Sequence, residues 1–464
     1  MTATTTRHYS AKPFTGHCDF SGGALFHTPS DIEMRDNVQM TRTLNDWLDY
    51  QLQIHPKSID MGLDRVSEVA RRLDIKKPAA RVITVGGTNG KGSTVAFIEA
   101  IASAAGWKVG AYTSPHILFY NERVRVNARD AEDEEFISAF EKIEAARKIT
   151  PEIPLTYFEF GTLAAVIIFA EHDLDLVILE VGLGGRLDAT QIVEPDVAVI
   201  TTVDLDHQDY LGTDRESIGF EKAGIIRAWK PVVFGEKDPP SSALRRAYEL
   251  GATAIRGHSD YLIDRLENKW RWREPGYEIE LPMPGLAAPV QLENAAAAIA
   301  ALRALSDEID DAAIIEGVRS ARVPGRLQKI SGQPEIVLDV AHNPQAAGQL
   351  LQWLLEYPKT TYAVFAALAD KEIEAIVSVL RPSIDHWFLA GIDDAGSRNL
   401  TAAELKKRVG ATVAEPALSQ HAGVAEALQA AQQRAKPDER ILVFGSFHTV
   451  AAALMALKIR PVTL

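Results

Sequence analysis

A lysine set between glycines at the start of a helix is a device for holding phosphate. Residues 86–94 read GGTNGKGST, so that Lys91 follows Gly90 and Gly92 separates it from Ser93. The common phosphate loop is G-x-x-x-x-G-K-[ST]. Here Val85 stands where the first glycine of that pattern would be, so the register is altered. Main-chain N–H groups at a helix start point at phosphate oxygens, and the helix dipole favours their charge. Gly90, Lys91, Gly92 and Ser93 are therefore expected to hold the phosphates of a nucleotide. Lys91 would meet the terminal ones, with Ser93 or Thr94 near a metal.

Three further side chains stand where apolar runs end. Ser114 closes YTSPH, and its hydroxyl is able to coordinate Mg²⁺, although a serine before proline is more often only a turn. Glu180 ends DLVILE and is followed by Gly182, Gly184 and Gly185, a carboxylate facing an open crevice. His207 follows PDVAVITTVDLD, with Asp204, Asp206 and Asp209 around it, acids that a surface loop explains equally well. Mg²⁺ takes hard oxygen ligands, keeps several waters and binds few protein groups, so three ligands from three strand ends suit it. Lys222, in SIGFEKAGIIR, reads on its own as a solvated helix lysine.

Placing these residues requires an α/β frame. RVITVGG, KVGAYTSPH, DLVILEVGLGG and PDVAVITTVDLDH are continuous apolar strands, as expected where helices cover both sheet faces. They alternate with helices at residues 93–106 and in EDEEFISAFEKIEAARKI, where Phe136, Phe140 and Ile143 share one face. Parallel strands with helical crossovers put ligands at their carboxyl ends. RVPGRLQ, residues 322–328, is a proline-glycine break, after which strands restart at EIVLDVAHNP, YAVFAAL, HWFLAGI and RILVFGS, with two helices between the last two. The division predicted is 1–40, a poorly ordered extension; 41–323, a nucleotide-binding domain; and 324–464, a smaller Rossmann-like domain. Met40 is a candidate alternative start, close to the first helix.

The formal net charge of -14 argues against nucleic acid or an anionic membrane as the main partner. An anionic ligand needs local cations. The single cysteine, Cys18, allows no internal disulfide and fits a reducing, cytoplasmic setting. Apolar runs such as LAAVIIFA are too short to span a bilayer, and the amino terminus lacks a signal-peptide pattern. A monomer is expected.

Taken together, HPKSIDMGLDRV, GGTNGKGST, YTSPH, NERVRV, LTYFEFGTLAA, LEVGLGGRLDAT, LDHQDYLG, RESIGFEKAGIIR, VPGRLQ, LDVAHNP and FGSFHTV resemble the Mur-ligase superfamily of ATP-dependent amide ligases. Within it they are similar to the folylpolyglutamate synthase family, bacterial bifunctional type. The resemblance implies a central phosphate-loop domain plus a smaller carboxyl-terminal α/β domain. It implies ATP as co-substrate, held by Gly90, Lys91, Gly92, Ser93, Asn294, Arg326 and Asp339. It implies Mg²⁺ on Ser114, Glu180 and His207, and a Lys222 that carries CO₂ as a carbamate. Asp60, Met61, Gly62, Thr156, Tyr157, Phe158, Glu159, Leu187, Asp188 and Ala189 would line the pterin or folate site. His342 and Ser446 would help bind glutamate, with Lys91, Lys222 and His342 nearest the chemistry.

The implied reaction activates a carboxylate of dihydropteroate or a reduced folate as an acyl phosphate, which L-glutamate then captures. Three alternatives remain at this point: a monofunctional folylpolyglutamate synthase, another Mur-type amino-acid ligase, and a phosphate-loop ATPase switch. A cell-wall ligase would need an amino-terminal nucleotide-sugar domain, for which the roughly 40 residues between Met40 and the first strand leave little room. The altered loop register and the second α/β domain argue against the switch.

Overall fold

The computed structural model describes residues 42–459 except 58, 307, 394 and 414. The expectations about residues 1–40 and Met40 lie outside the described residues. The chain from Arg42 onward clusters as one unit. Its first helix, Leu44–Ile54, starts at a capping box: the Thr43 side chain accepts from the Asp46 N–H, and the Asp46 carboxylate accepts from the Thr43 N–H.

Eight strands form the first sheet: β1 (Arg81–Gly86), β2 (Val109–Tyr112), β3 (Val124–Val126), β4 (Arg129–Asp130), β5 (Leu176–Glu180), β6 (Val197–Ile200), β7 (Pro231–Phe234) and β8 (Thr253–Arg256). Their order is β4-β3-β2-β5-β1-β6-β7-β8. The six from β2 to β8 are parallel, while β3 and β4 add antiparallel pairs at one edge. Alternate residues enter different cores. Ile83, Val85, Leu176 and Ile178 pack with helices Lys91–Ala104 and Gln291–Leu305 on one face. Val82, Val177 and Leu179 pack with helices Asp133–Arg147 and Tyr157–Ala170 on the other. Burial on both faces is why these strands read as unbroken apolar runs.

A meander of β9 (Leu262–Arg265), β10 (Lys269–Glu274) and β11 (Tyr277–Pro282) follows. It buries Trp270 and Trp272 beneath helix Gln291–Leu305. The second sheet comprises β12 (Gln328–Ile330), β13 (Glu335–Asp339), β14 (Thr361–Phe365), β15 (His386–Ala390), β16 (Leu418–His421) and β17 (Arg440–Phe444), in the order β12-β13-β17-β14-β15-β16. Only β12 is antiparallel. Two apolar clusters cover its faces.

The mixed α/β architecture agrees with the sequence reading, with corrections of detail. The strands of the first sheet stop sooner than expected, because the chain leaves the ladder at Thr113, Val181 and Thr201. The segment between β15 and β17 holds a strand as well as two helices: β16 is a short edge strand with the polar sequence LSQH. The β3–β4 pair and the β9–β11 meander were not anticipated, since a charged, solvated strand has no continuous apolar run.

One buried charge ties the phosphate-loop helix to the sheet edge. Glu99 is fully buried in helix Lys91–Ala104, and Arg125 of β3 donates to it through Nη2 at 2.7 Å and through Nε at 3.1 Å. Removing one partner of such a pair leaves an uncompensated charge in the core. Arg125→Met should therefore lower stability by about 3–5 kcal/mol, read as the urea unfolding midpoint. Adding Glu99→Gln to it should restore part of the loss. A midpoint unchanged in Arg125→Met would show that the pair contributes nothing.

Candidate active site

The parallel register brings the nominated residues to one edge. Val85 pairs with Glu180, Gly86 with Ile200, and Tyr112 with Leu179, so the chain emerges from β1, β2, β5 and β6 side by side. The phosphate loop leaves β1 between the other ends. Gly90 caps the helix in a left-handed conformation, φ 88°, and a Cβ there would lie 2.5 Å from Asn294 Oδ1. Only glycine fits both conditions. The loop is pinned from the β6 end: Thr201 Oγ1 donates to the Asn89 carbonyl at 2.6 Å, and the Thr88 N–H donates to the Thr202 carbonyl at 2.7 Å.

Lys91 is the first helical residue and curls over its own loop, donating to the carbonyls of Gly87 at 3.0 Å and Thr88 at 3.2 Å. Burial lowers its pKa, opposed by the charges of Glu180 and Asp206. Gly87 to Gly92, Ser114, Glu180, the loop 181–184, His207, Lys222, Arg326 and His342 line one cleft. The structure thus brings together the three nominated metal residues and the three placed nearest the chemistry.

Glu180 is buried and accepts the Ser114 N–H at 3.1 Å. Burial raises its pKa, with Lys91 the main opposing charge. His207 begins a short helix in left-handed geometry, φ 51°. Partial loss of water in the cleft lowers its pKa to about 4 despite the pull of Asp206, even with the side chain 36% exposed, so the imidazole is neutral at pH 7 and able to ligate a metal. Among the described residues, no three His, Cys, Asp or Glu side chains form a cage by themselves. Glu180, His207 and the hydroxyl of Ser114 instead suit a cation that retains waters.

Lys222 is not the solvated helix lysine that its local sequence suggests. It ends helix Arg215–Lys222, is 3% exposed, and among the described residues its ammonium makes no hydrogen bond or ion pair to the protein. The glycine loop after Glu180 encloses it: a Cβ at Gly185 would lie 2.9 Å from the carbonyl oxygens of Glu221 and Lys222. Burial, then repulsion from Lys91, brings its pKa down to about 7.

The nucleotide-contact candidates fall in an adjoining cleft, lined by Asn89, Gly90, Ser93, Asn294, Arg326, Asp339 and Gln345 among others. Asp339, at the end of β13, accepts the N–H groups of Leu327 at 2.9 Å and Ala341 at 2.8 Å, and so shapes the linker that carries Arg326. Burial raises the pKa of Asp339, opposed first by Arg326. Arg326 also borders a third cleft beside Thr113, Arg125 and Phe447.

The pterin candidates are tied to one another and to the loop after β5, without lining the clefts around Lys91. Asp60 pairs with Arg65 at 2.7 Å and Lys57 at 3.0 Å, and the same Arg65 reaches Glu159 at 3.2 Å. Thr156 and Glu159 form the capping box of helix Tyr157–Ala170. Asp188 is buried and accepts N–H groups of Gly182, Leu183 and Thr190. Met61 packs at Gly184, and the Phe158 ring packs at Gly182. Tyr157 stacks edge-on with Tyr120. Gly62 has open space around it, Leu187 is half-buried and Ala189 is buried.

His342 places Nδ1 2.8 Å from the Val340 carbonyl, with Nε2 turned to the cleft. Ser446 is not in the lining of that cleft. Its hydroxyl caps helix Phe447–Leu457 by accepting the Thr449 N–H at 3.0 Å, and Phe447 lines the cleft instead. Sequence reasoning also missed Arg65, Asn89, Gln345 and Lys371, whose partners are distant along the chain.

The lowered pKa of Lys222 has a measurable sign. Between about pH 7 and the ordinary lysine value near 10.4, the unfolded chain binds a proton that the folded chain lacks. Stability from this residue therefore rises with pH across that window. Lys222→Met should unfold at higher urea than the wild type at pH 7, and the gap should narrow by pH 10, measured in CO₂-free buffer without metal. A gap independent of pH would mean that Lys222 is solvated.

Two family models match the chain: the Mur ligase middle domain over residues 85–302 and the Mur ligase, glutamate ligase domain over residues 325–447. The chain is 44% identical to the dihydrofolate synthase/folylpolyglutamate synthase of Escherichia coli over 425 residues, covering 91% of this chain and 97% of that protein. The enzyme of the same name from Haemophilus influenzae is 38% identical over 439 residues, covering 90% and 98%. Among solved structures, Escherichia coli FolC in complex with DHPP and ADP superposes with a TM-score of 0.85 at 44% identity, covering 90% of this chain and 98% of that one. A bifunctional folylpolyglutamate synthase/dihydrofolate synthase with Mn, AMPPNP and L-glutamate bound gives 0.82 at 44% identity, covering 90% and 99%. The resemblance carried by the motifs is thereby confirmed, and this chain belongs to the dihydrofolate synthase/folylpolyglutamate synthase family of Mur ligases.

Proposed function

We propose that the chain is an ATP-dependent amide ligase that joins L-glutamate to dihydropteroate and to reduced folates. The observation that carries this reading is the single cleft in which Lys91, Glu180, His207 and Lys222 meet Arg326 from the linker and His342 from beyond it. That arrangement supports phosphoryl transfer followed by capture of the product by a third molecule. The relatives of the same name and the structures holding ADP, DHPP, AMPPNP, Mn and L-glutamate support the substrates.

Asn294, Arg326 and Asp339 would hold the nucleoside, and the loop N–H groups and Lys91 its phosphates. A carboxylate of the pterin substrate attacks the γ-phosphorus, ADP departs, and an acyl phosphate forms. The glutamate amine, losing its proton, then attacks the acyl carbon and phosphate leaves. Holding the reactants in line contributes roughly 7–11 kcal/mol in favourable cases. Met61, Tyr157 and Phe158 offer faces to a flat ring, while Asp60, Thr156, Glu159 and Asp188 keep that wall in shape. The division into residues 41–323 and 324–464 is part of this reading, since closure about the linker would exclude water from the acyl phosphate.

A divalent ion held by Ser114, Glu180 and His207 would neutralise charge on the phosphates. Lys222 fits carbamylation by CO₂: forming a carbamate requires a neutral amine, and burial makes that form accessible. The modified side chain would turn toward the cation as an oxygen donor.

ADP release should require both the folate-type acid and L-glutamate, with dihydropteroate and a reduced folate each sufficing. Release independent of glutamate would favour an ATPase switch. Glu180→Gln and His207→Ala should lower turnover by roughly 100-fold or more, as for loss of a transition-state charge partner, with unfolding midpoints near that of the wild type. For Lys222, intact mass of protein trapped under CO₂ should show the carbamate. Lys222→Arg should lack both the mass increment and the activity, and near-normal turnover in that variant would remove the carbamate assignment.

A further inference from the structure

In LDHQDYLG, Asp206 reads as one of several loop acids, yet in the fold both of its oxygens are engaged from beyond the linker. Lys371 Nζ donates to Oδ1 at 2.9 Å, with side chains only 7% and 13% exposed. Asn343 Nδ2 donates to Oδ2 at 3.3 Å, and His342 Nε2 stands 3.7 Å from the same oxygen. The local partners are the His207 N–H, 2.9 Å from Oδ1, and the His207 imidazole, whose Nε2 stands 4.0 Å from the same oxygen. Among the described residues, Lys371 pairs with no other carboxylate.

A second row of contacts runs alongside. Asn89 of the phosphate loop and Asn343 exchange side-chain amide hydrogen bonds of 3.2 Å and 3.1 Å. Asn89 Nδ2 also donates to Gln345 Oε1. The Asn343 oxygen simultaneously caps helix Pro344–Glu356 by accepting the Ala346 N–H at 2.9 Å. One short segment, 342–345, is thus held from both the β1 loop and the β6 loop.

We propose that Asp206 is an interdomain latch, a positioning residue that draws Lys371 and the segment 342–345 onto the ends of β1 and β6. It brings His342 to the cleft and, through the His207 N–H, couples that closure to the turn presenting the imidazole of His207. Asp206 itself touches no reacting atom. Of the side chains around Asp206, the His207 imidazole is local, whereas Lys371, Asn343 and His342 come from across the linker and are kept only while the two parts are closed. Opening returns both charges to water, so the pair biases an equilibrium between two arrangements rather than the folding of either part. Substituting one member in the closed form leaves the other buried without its partner, whereas removing both charges does not.

The latch is independent of the ligand assignment, while its consequence for turnover rests on the ligase reading. Small-angle scattering of the full chain, with and without AMPPNP and Mn²⁺, tests the first. Asp206→Asn and Lys371→Met should each increase the radius of gyration, and the double variant should be no more expanded than either, all with urea midpoints close to that of the wild type. Kinetics test the second. Each single change should lower kcat/KM for L-glutamate roughly 10- to 100-fold, and the double should be no worse than the more damaged single, a coupling of about tenfold or more. Unchanged scattering in both singles, or effects that simply multiply, would overturn the latch. So would a lower KM for glutamate in Asp206→Asn, which would make Asp206 a competitor for a substrate site on Lys371. Expanded singles together with a wild type that releases no ADP on adding glutamate would uphold the latch and remove the ligase reading instead.

Discussion

The left-handed turn at Gly90 is the constraint on which the cleft is built. It ends the loop from β1 and starts the helix in one residue, with the Asn294 amide close against it. Any side chain there would displace either the helix start or helix Gln291–Leu305. At Gly92 a Cβ would meet the Glu180 carboxylate at 3.7 Å, an ordinary van der Waals contact, so the strict demand for glycine falls on residue 90.

Around that turn the chain concentrates charges that water would otherwise keep apart. Lys222, Glu180 and Asp188 are buried and Lys91 is half-buried, and each has its pKa displaced toward the neutral form by loss of water around it. Such a cluster is unfavourable to stability unless its members compensate one another or a ligand completes it. Lys91 does so by bonding loop carbonyls, and Asp188 by accepting main-chain N–H groups. The Lys222 side chain has no such partner among the described residues, and the carbamate proposal rests on that difference.

Beyond the linker, charges are arranged for joining two parts. Asp339 holds the linker main chain, Arg326 reaches three clefts, and Asp206 gathers side chains from the second sheet. In an acidic protein of net charge -14, a polyanionic ligand is accommodated only where such cations converge. The geometry supplies that convergence at the junction, where Lys91, Lys222 and Arg326 line one cleft.

The sequence by itself determined the strand ends and the glycines. Continuous apolar runs are a local consequence of burial on both sheet faces, so β1, β2, β5 and β6 and the residues just past them were legible. Charged strands were less so, although KWRWRE alternates its tryptophans inward as a half-buried strand must. The edge strands β3, β4 and β16 are too short to show a period. Local reading also assigned Lys222 to solvent, because a helix of eight residues does not reveal which loop will cover its end. That was decided by the packing of Gly185 on the Lys222 carbonyl. Likewise the partner of Asp206 lies 165 residues away, and no spacing rule reaches so far. Periodicity records what one element buries, but the pairing of charges between elements exists only once the sheets are placed against each other.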